Sequence, residues 1–314
     1  MRLFNTAVIV LFASASPLAP ASAVEELSAD ELVVQSEFFI GSEVIGFGFG
    51  SLWAVSGKRL VRIQAADNKA VEIELKMPHI DSFRGFAFGE GAVWLADISE
   101  SELLKIDPEA NQVVKRIPAP MLSGQGSVGV GEGSIWVVTA QNRESTLTRI
   151  NAASGNVEAK IPLPSAGSGV AFDFGAVWVT GPSAGELYRI DPSTNHVTTF
   201  AKLHGLPGSI ATGDESIWVV SDRDRVVDRI DPKTGQLMAS IATGIVGPTY
   251  GSAIGGGGGY IWVESYPAAF MQIDPKTNTM LRKFTGGHGW GFAYGADSLW
   301  KAGPTLQRIA PPGP

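Results

Sequence analysis

The sequence contains no cysteine in its 314 residues. This absence excludes thiol nucleophiles, iron–sulfur clusters and thiolate zinc sites, and it means that no disulfide stabilises the chain. Basic residues are also sparse, with 24 Lys and Arg against 31 Asp and Glu, a net charge of −7 and no basic run. That balance argues against nucleic acids and anionic membrane surfaces as partners.

Several cofactor and catalytic signatures are missing as well. Residues 46–50 (Gly-Phe-Gly-Phe-Gly) lie in a predicted strand and turn with no helix after them, so they do not form a dinucleotide-binding loop. Residues 255–259 are all glycine and are predicted to form a loose turn, because no Lys-Ser/Thr follows them. Nothing in the sequence indicates a haem, flavin or nicotinamide cofactor.

The first 23 residues have the pattern of a cleavable secretory leader. Arg2 gives a positive start, residues 7–13 form a short apolar stretch, and residues 21–23 (Ala-Ser-Ala) match a small-x-small cleavage site. The apolar stretch is too short to span a membrane. We therefore predict a periplasmic or secreted protein that is cleaved after Ala23, with a single domain over 24–314. Loss of Arg2 leaves 23 basic against 31 acidic residues, a net charge of −8.

A tryptophan recurs seven times, each after a small or acidic turn and an aliphatic residue. The spacing lies between 38 and 44 residues, at Trp53, Trp94, Trp136, Trp178, Trp218, Trp262 and Trp300. A period near 40 with short β-branched and aromatic segments is typical of radial β architectures. The sequence therefore predicts an all-β, seven-bladed β-propeller with four antiparallel strands per blade and the repeated tryptophans in its core.

The fourth repeat shows the strands and turns of one unit. Strands A to D are predicted near 169–172, 177–180, 187–190 and 197–201. The A–B turns carry glycine with acidic residues, and most C–D turns carry Ile-Asp-Pro. Asn or Gly follows each of those isoleucine positions by five residues, which predicts a left-handed residue in every such turn.

The seventh repeat is incomplete, because the chain ends after its third predicted strand. The fourth strand is predicted to come from the other end of the chain, near Glu31 to Phe39. Such closure removes the open sheet edge that would invite aggregation.

Two charges break the repeat in strand B of neighbouring blades. Glu264 stands two residues after its tryptophan and Lys301 one residue after its own, where the other blades have mostly aliphatic residues. An unpaired charge in a half-buried strand loses its hydration, which costs on the order of several kcal/mol of folding free energy. Two interpretations remain open: a salt bridge or strand ends in solvent, and a polar site between blades six and seven.

Further candidates lie where the D–A and B–C connections leave the sheets, on the face around the mouth of the central channel. Arg84 could bind a carboxylate or a phosphate, and Trp290 could line the mouth. Histidines and carboxylates on this rim could form a general base or a Mg²⁺ or Ca²⁺ site, although each could equally be a solvated loop residue. The remaining ligand-binding candidates are His79, Asp81, Asp97, His204, Asp222, Tyr250 and Tyr266, with His288 as a catalytic candidate.

Scaffold motifs carry a resemblance to a known group of proteins. Residues 133–138 (Gly-Ser-Ile-Trp-Val-Val), 175–180 (Gly-Ala-Val-Trp-Val-Thr) and 187–192 (Leu-Tyr-Arg-Ile-Asp-Pro) resemble the propellers of the virginiamycin B (streptogramin B) lyases and the YVTN/YncE-like periplasmic proteins. The resemblance implies seven blades and, for the lyases, opening of a cyclic depsipeptide by elimination with magnesium, a histidine near a late strand A and glutamates after the strand B tryptophan. His288 and Glu264 each stand one position from those slots, and Lys301 lies beside them, so these three are the catalytic candidates.

These observations predict an exported, monomeric propeller that binds a small molecule, a peptide or a periplasmic protein at the channel mouth. The alternative is a metal-assisted lyase or hydrolase with its site on the same face. A protein–protein scaffold is the third interpretation, and whether the chain is an enzyme stays open at this point.

Overall fold

The computed structural model describes residues 24–42, 44–76, 83–121, 127–141, 144–245, 252–265, 268–286 and 290–313. Within these ranges the chain forms 29 β-strands and, as its one helical element, a single 3-10 turn at Ala29–Glu31. No helix in the described part of the chain is both long and apolar enough to cross a membrane.

Two N-terminal strands, β1 (Glu25–Ser28) and β2 (Val34–Phe38), precede the first repeat. Blades one to three then follow in chain order. Their strands are β3 (Val44–Gly48), β4 (Ser51–Ser56), β5 (Arg59–Gln64), β6 (Ala70–Glu74), β7 (Phe83–Gly89), β8 (Ala92–Asp97), β9 (Glu102–Asp107), β10 (Gln112–Pro118), β11 (Val128–Gly131), β12 (Ser134–Gln141), β13 (Glu144–Asn151) and β14 (Val157–Pro162).

Blades four to six have four strands of their own, and blade seven has three. Their strands are β15 (Val170–Asp173), β16 (Ala176–Gly181), β17 (Glu186–Ile190), β18 (Val197–Lys202), β19 (Pro207–Gly213), β20 (Ser216–Ser221), β21 (Val226–Ile230), β22 (Leu237–Ala242), β23 (Ala253–Gly257), β24 (Tyr260–Ser265), β25 (Ala268–Asp274), β26 (Thr279–Thr285), β27 (Phe292–Gly295), β28 (Ser298–Lys301) and β29 (Leu306–Ile309).

Each blade is an antiparallel sheet with its strands in the order A-B-C-D. Strand A is innermost and contacts strand A of both neighbouring blades, and β27 of blade seven contacts β3 of blade one. The seven sheets therefore close into a ring. The predicted seven-bladed propeller is confirmed, and in blade four the predicted strand limits agree with the observed ones to one residue.

The turns have the predicted backbone. The residue that ends each C–D turn has a positive φ, at Asn68, Asn111, Gly155, Asn195, Gly235 and Asn278. One detail differs from the sequence prediction: Gly255, Gly256 and Gly257 belong to strand β23, and only Gly258 and Gly259 form the turn. At Gly257 the next blade leaves no room for a side chain, because a Cβ there would lie 2.1 Å from the ring of Tyr294.

The repeated tryptophans form the core, as predicted, since all seven are 0% exposed. Each indole Nε1 donates a hydrogen bond to the carbonyl five residues earlier, on Gly48, Gly89, Gly131, Asp173, Gly213, Gly257 or Gly295. Burial of the ring therefore leaves no unpaired polar atom.

A cation lies over six of the seven indoles, a regularity not deduced from the sequence. The cations stand opposite the tryptophan on strand C, at Arg62, Lys105, Arg149, Arg189, Arg229 and Arg308. Arg229 illustrates the arrangement: its guanidinium lies 4.8 Å from the Trp218 ring centroid and donates to the carbonyl of Pro275 and to Asn278 Oδ1 in the next blade. The cation thus joins the core of one blade to the C–D turn of the next.

Blade six departs from this arrangement at the point where the ring closes. The position opposite Trp262 holds Gln272, and blade seven has no C–D turn to receive a cation, because its strand D comes from the N-terminus. Arg282 on β26 binds there instead, to Glu25 Oε2 at 2.7 Å and to the carbonyl of Gly313. Both described ends of the chain therefore meet at one side chain.

The N-terminal segment completes the ring. Strand β2 pairs antiparallel with β29, which confirms the predicted closure of blade seven. Strand β1, which was not predicted, pairs parallel with β26 as a fifth strand on blade six. Between them Leu32 is 8% exposed and packs in a cluster with Trp262 of blade six and Leu299 of blade seven.

Candidate functional site

Glu264 and Lys301 face each other across the interface between blades six and seven. Glu264 follows Trp262 by two residues, so it lies on the same side of β24, and Trp262 packs in one cluster with Leu299 of blade seven. Lys301 follows Leu299 by two residues and therefore lies on the side of β28 that faces blade six. The interface is apolar around the tryptophan and polar toward the channel mouth.

The Glu264 side chain is almost completely buried, with 5% of the residue exposed. Burial raises the pKa of its carboxyl from 4.5 to about 7, because removal from water disfavours the anion, while the Lys301 ammonium opposes part of that rise. Its cross-strand neighbour on β23 is Ala253, and no hydrogen bond between the carboxyl and a described residue is present. Glu264 is thus a buried acid that changes charge near neutral pH.

Lys301 is half-buried and makes no ion pair with any described carboxylate, including that of Glu264. The salt-bridge interpretation of the two charges is therefore wrong, and so is a solvent-exposed strand end at Glu264. A polar site between blades six and seven stays a prediction, as does a strand end that reaches solvent at the half-buried Lys301.

A hydrogen-bonded chain lies beside this interface, between blades five and six. Ser252 Oγ, at the start of strand A in blade six, donates to Asp222 Oδ1 at 2.5 Å and lies 2.8 Å from Ser265 Oγ. Ser209 of blade five also donates to the backbone carbonyl of Ser252. Asp222, which could equally have been a solvated loop residue by its sequence, is thus anchored to the neighbouring blade. Asp222 and Glu264 consequently flank the top of the same strand A.

His204 binds an acid that the sequence comparison missed. Its backbone N–H donates to Asp228 Oδ2 at 3.0 Å, and its Nδ1 lies 2.8 Å from Asp228 Oδ1. Because a carboxylate only accepts, Nδ1 carries the proton and Nε2 is left as the second ring nitrogen. Asp228 is fully buried and also accepts from Ser240 Oγ, so the pair fixes the D–A connection where it crosses from blade four to blade five. The sequence does contain a sign of this acid. Asp228 directly precedes the strand C cation Arg229, and no other blade has a carboxylate at that position.

The other described candidates are spread around the ring. Asp97 in blade two is fully buried, and its Oδ1 accepts from the backbone N–H groups of Ser99 and Glu100, whereas Oδ2 has no partner among the described residues. Trp290 is 46% exposed before strand A of blade seven. Arg84 lies in β7 of blade two, and its side chain is outside the described part. Four predicted residues, Asp222, Glu264, Trp290 and Lys301, therefore share the sector of blades five to seven. His204 lies where the chain enters blade five, and Asp97 and Arg84 lie in blade two.

Five predicted residues lie outside the described ranges: His79, Asp81, Tyr250, Tyr266 and His288. Around Glu264, the described residues do not fit a hard-metal site. No group of three or more His, Asp or Glu side chains that could bind a cation occurs in the described ranges, and the charge that acts on Glu264 is the positive one of Lys301. The chemistry these residues support is proton transfer and polar ligand binding, since a carboxyl with a pKa of about 7 both accepts and donates a proton near neutral pH.

Comparison with known proteins supports the fold but does not assign a function. No family model matches the chain, and no curated protein sequence matches it. Among solved structures, a streptogramin B lyase superimposes with a TM-score of 0.70 at 17% identity, covering 88% of this chain and 95% of that one. A catalytically inactive virginiamycin B lyase from Staphylococcus aureus with quinupristin gives a TM-score of 0.72 at 17% identity, covering 89% and 98%. The extracellular domain of a one-component system from B. thetaiotaomicron gives 0.67 at 16% identity, covering 89% of this chain and 42% of that one. These similarities show a shared seven-bladed fold.

Proposed function

We propose that this chain is an exported propeller that binds a small polar ligand at the mouth of its central channel, in the sector of blades five to seven. The observation that carries the proposal is Glu264, a buried carboxyl with no described hydrogen-bond partner and a pKa of about 7. Export is proposed from the leader-like pattern of the first 23 residues.

Stability alone gives no reason for this arrangement. A buried carboxyl with no hydrogen-bond partner among the described residues costs folding free energy. The other blades have neutral residues, mostly aliphatic, at the same position. Strongly perturbed acids cluster at functional sites, because binding and proton transfer need groups that are poised near the ambient pH. Lys301, without an ion-pair partner in the described part, adds a cation on the opposite side of the same interface.

A crystallographic fragment screen on the mature protein tests this proposal. We expect small amides, amines and carboxylates to bind beside Glu264 and Lys301, and the Glu264→Gln variant to lose those hits. Glu109→Gln, an exposed substitution in the C–D turn of blade two, should retain them. Fragments that bind elsewhere, or hits that Glu264→Gln leaves intact, would contradict the proposal.

A second candidate is a lyase, favoured by the fold shared with the streptogramin B lyases and by the acid–base character of Glu264. It ranks second because Asp97, the one carboxylate three residues after a repeated tryptophan, is fully buried. The described donor set does not form a metal site, so we derive no step through magnesium.

Two measurements test the lyase candidate. Incubation with quinupristin, followed by mass spectrometry, should reveal a ring-opened product that Glu264→Gln does not form. Mg²⁺ or Ca²⁺ should raise the melting temperature, and Glu264→Ala should abolish that shift. An unchanged depsipeptide together with no metal effect would exclude this candidate and leave the binding proposal standing.

A further inference from the structure

A separate cavity of about 370 Å³ lies between the N-terminal segment and the outer part of blade seven. One wall is the 3-10 turn and the start of β2, and the other is formed by β28 and β29. Gly286, at the end of the outer strand of blade six, completes the lining. Its volume lies within the range of about 300–1,000 Å³ typical of small-molecule sites. Glu264 does not line it.

The cavity places opposite charges on its two walls. Lys301 contributes an ammonium that no described carboxylate pairs with, and Asp30 contributes a carboxylate from the 3-10 turn. Asp30 Oδ2 accepts one long bond, 3.4 Å from Ser28 Oγ, so its acceptor capacity is largely unused. A molecule with one charge would satisfy one wall and leave the other charge unpaired.

Leu32, Val34 and Ile309 make the rest of the lining largely aliphatic. Gln307 adds an amide whose Nε2 already donates to Glu37 Oε1 at 2.9 Å, which leaves its Oε1 as an acceptor. A matching ligand therefore has an ammonium, a carboxylate and a short hydrocarbon portion.

We propose that this cavity binds a free aliphatic amino acid, with its carboxylate on Lys301 and its ammonium on Asp30. The aliphatic side chain packs on Leu32, Val34 and Ile309. The site is distinct from the one proposed at the channel mouth and shares only Lys301 with it. Because the N-terminal segment forms one wall, the ligand also ties that segment to blade seven.

Isothermal titration of the mature protein with L-leucine tests the proposal. Isoamylamine and 4-methylvalerate, which each keep one charge and a similar hydrocarbon chain, are the comparison probes. We expect L-leucine to bind with a Kd below about 1 mM and each single-charge probe to bind at least about tenfold more weakly. Asp30→Asn and Lys301→Met should each weaken L-leucine binding at least about tenfold.

Three further variants make the result specific. Lys301→Arg keeps the charge and should restore most of the affinity, whereas Lys233→Met, on the C–D turn of blade five, should change nothing. Glu264→Gln should bind L-leucine within about twofold of the parent protein, so failure at the channel mouth is distinguishable from failure here. The proposal is overturned if L-leucine does not bind, if single-charge probes bind equally well, or if Glu264→Gln abolishes binding and Lys301→Met does not.

Discussion

At the scale of single residues, two kinds of buried charge have opposite energetic roles in this propeller. The strand C cations are buried or half-buried over the tryptophans, and most of them donate hydrogen bonds to the next blade, so they connect blades. Glu264 is buried without a described hydrogen bond, and the cost of its burial appears as a pKa of about 7. The contrast allows a stabilising charge and a functional charge to be separated by measurement.

The stability of the protein should depend on pH through Glu264. Its pKa is raised from 4.5 to about 7 on folding, so the native state holds the proton more tightly than the unfolded chain between those values. Stability contributed by the neutral acid is fully present below pH 4.5 and is lost as the pH rises through 7. Glu264→Gln should therefore be nearly neutral at pH 4 and stabilising by about 3 kcal/mol at pH 8, as measured by urea unfolding.

Glu109→Gln is the matched control, because that carboxyl is exposed on a turn. It should show no difference between the two pH values. Equal effects of Glu264→Gln at pH 4 and pH 8 would show that the carboxyl has an ordinary pKa and would weaken the site proposal.

The strand C arginines predict a graded series of stability losses. Arg229 is 9% exposed and binds Ser216 Oγ at 2.8 Å and Asn278 Oδ1 at 2.8 Å, in addition to lying over Trp218. Arg229→Met should cost about 2–4 kcal/mol, because it leaves buried acceptors unpaired. Arg189→Met should cost about 1 kcal/mol, since the turn it faces has Gly235 in place of an asparagine. Thermal or urea unfolding measures the loss of stability in each variant. Equal losses would show that the hydrogen bonds from Arg229 to the next blade do not stabilise the protein.

At the scale of strands, the repeat could be predicted from the sequence because each strand is short, apolar and followed by a turn of fixed composition. Strand β1 could not be predicted in this way. Its sequence, Glu-Glu-Leu-Ser, has no apolar alternation, and it forms because β26 offers a free edge and Arg282 pairs with Glu25. Its structure is thus determined by its docking site rather than by local preference.

The candidate site was predictable only in part, for a related reason. Glu264 and Lys301 stood out because they replace mostly aliphatic residues in an aligned strand. Asp228 was missed because its function depends on His204, 24 residues earlier in the chain, and on a loop crossing that only the fold establishes. The absence of a salt bridge between Glu264 and Lys301 depends on the distance between two neighbouring blades. The repeat pattern of the sequence gives no such distance.

Truncations distinguish the two N-terminal strands. Deletion of 24–28 removes β1 alone and should cost little, because β1 is a four-residue outermost strand in which only Leu27 is partly buried. Deletion of 24–38 also removes β2 and Leu32, which leaves β29 unpaired and opens the interface between blades six and seven. We expect the longer deletion to lower the melting temperature by more than about 10 °C and to promote aggregation. An unchanged melting temperature after the longer deletion would show that β2 does not close the ring.

At the scale of the whole molecule, closure depends on a blade built from both ends of the chain. This can be tested by two circular permutants in which a short linker joins Gly313 to Val24. One opens between Lys233 and Thr234, within the C–D turn of blade five, so blade five becomes the shared blade. The other opens between Ser165 and Ala166, in the D–A connection before blade four, so no blade is shared.

The first permutant should melt about 5–10 °C higher than the second. In the first, the pairing of β21 with β22 still holds the two ends of the chain together, whereas in the second only side-chain packing between blades three and four does so. Equal melting temperatures would mean that packing between blades suffices and that the shared blade is dispensable.

The pairing of β2 with β29 also determines when the ring can close during synthesis of the chain. Gln307 donates a hydrogen bond to Glu37 across 270 positions of the chain, so β2 cannot pair until those residues have been synthesised. Translation at about 5–20 residues per second makes that wait tens of seconds. Until then the unfinished ring has two unpaired ends, and a chaperone has that interval in which to bind them.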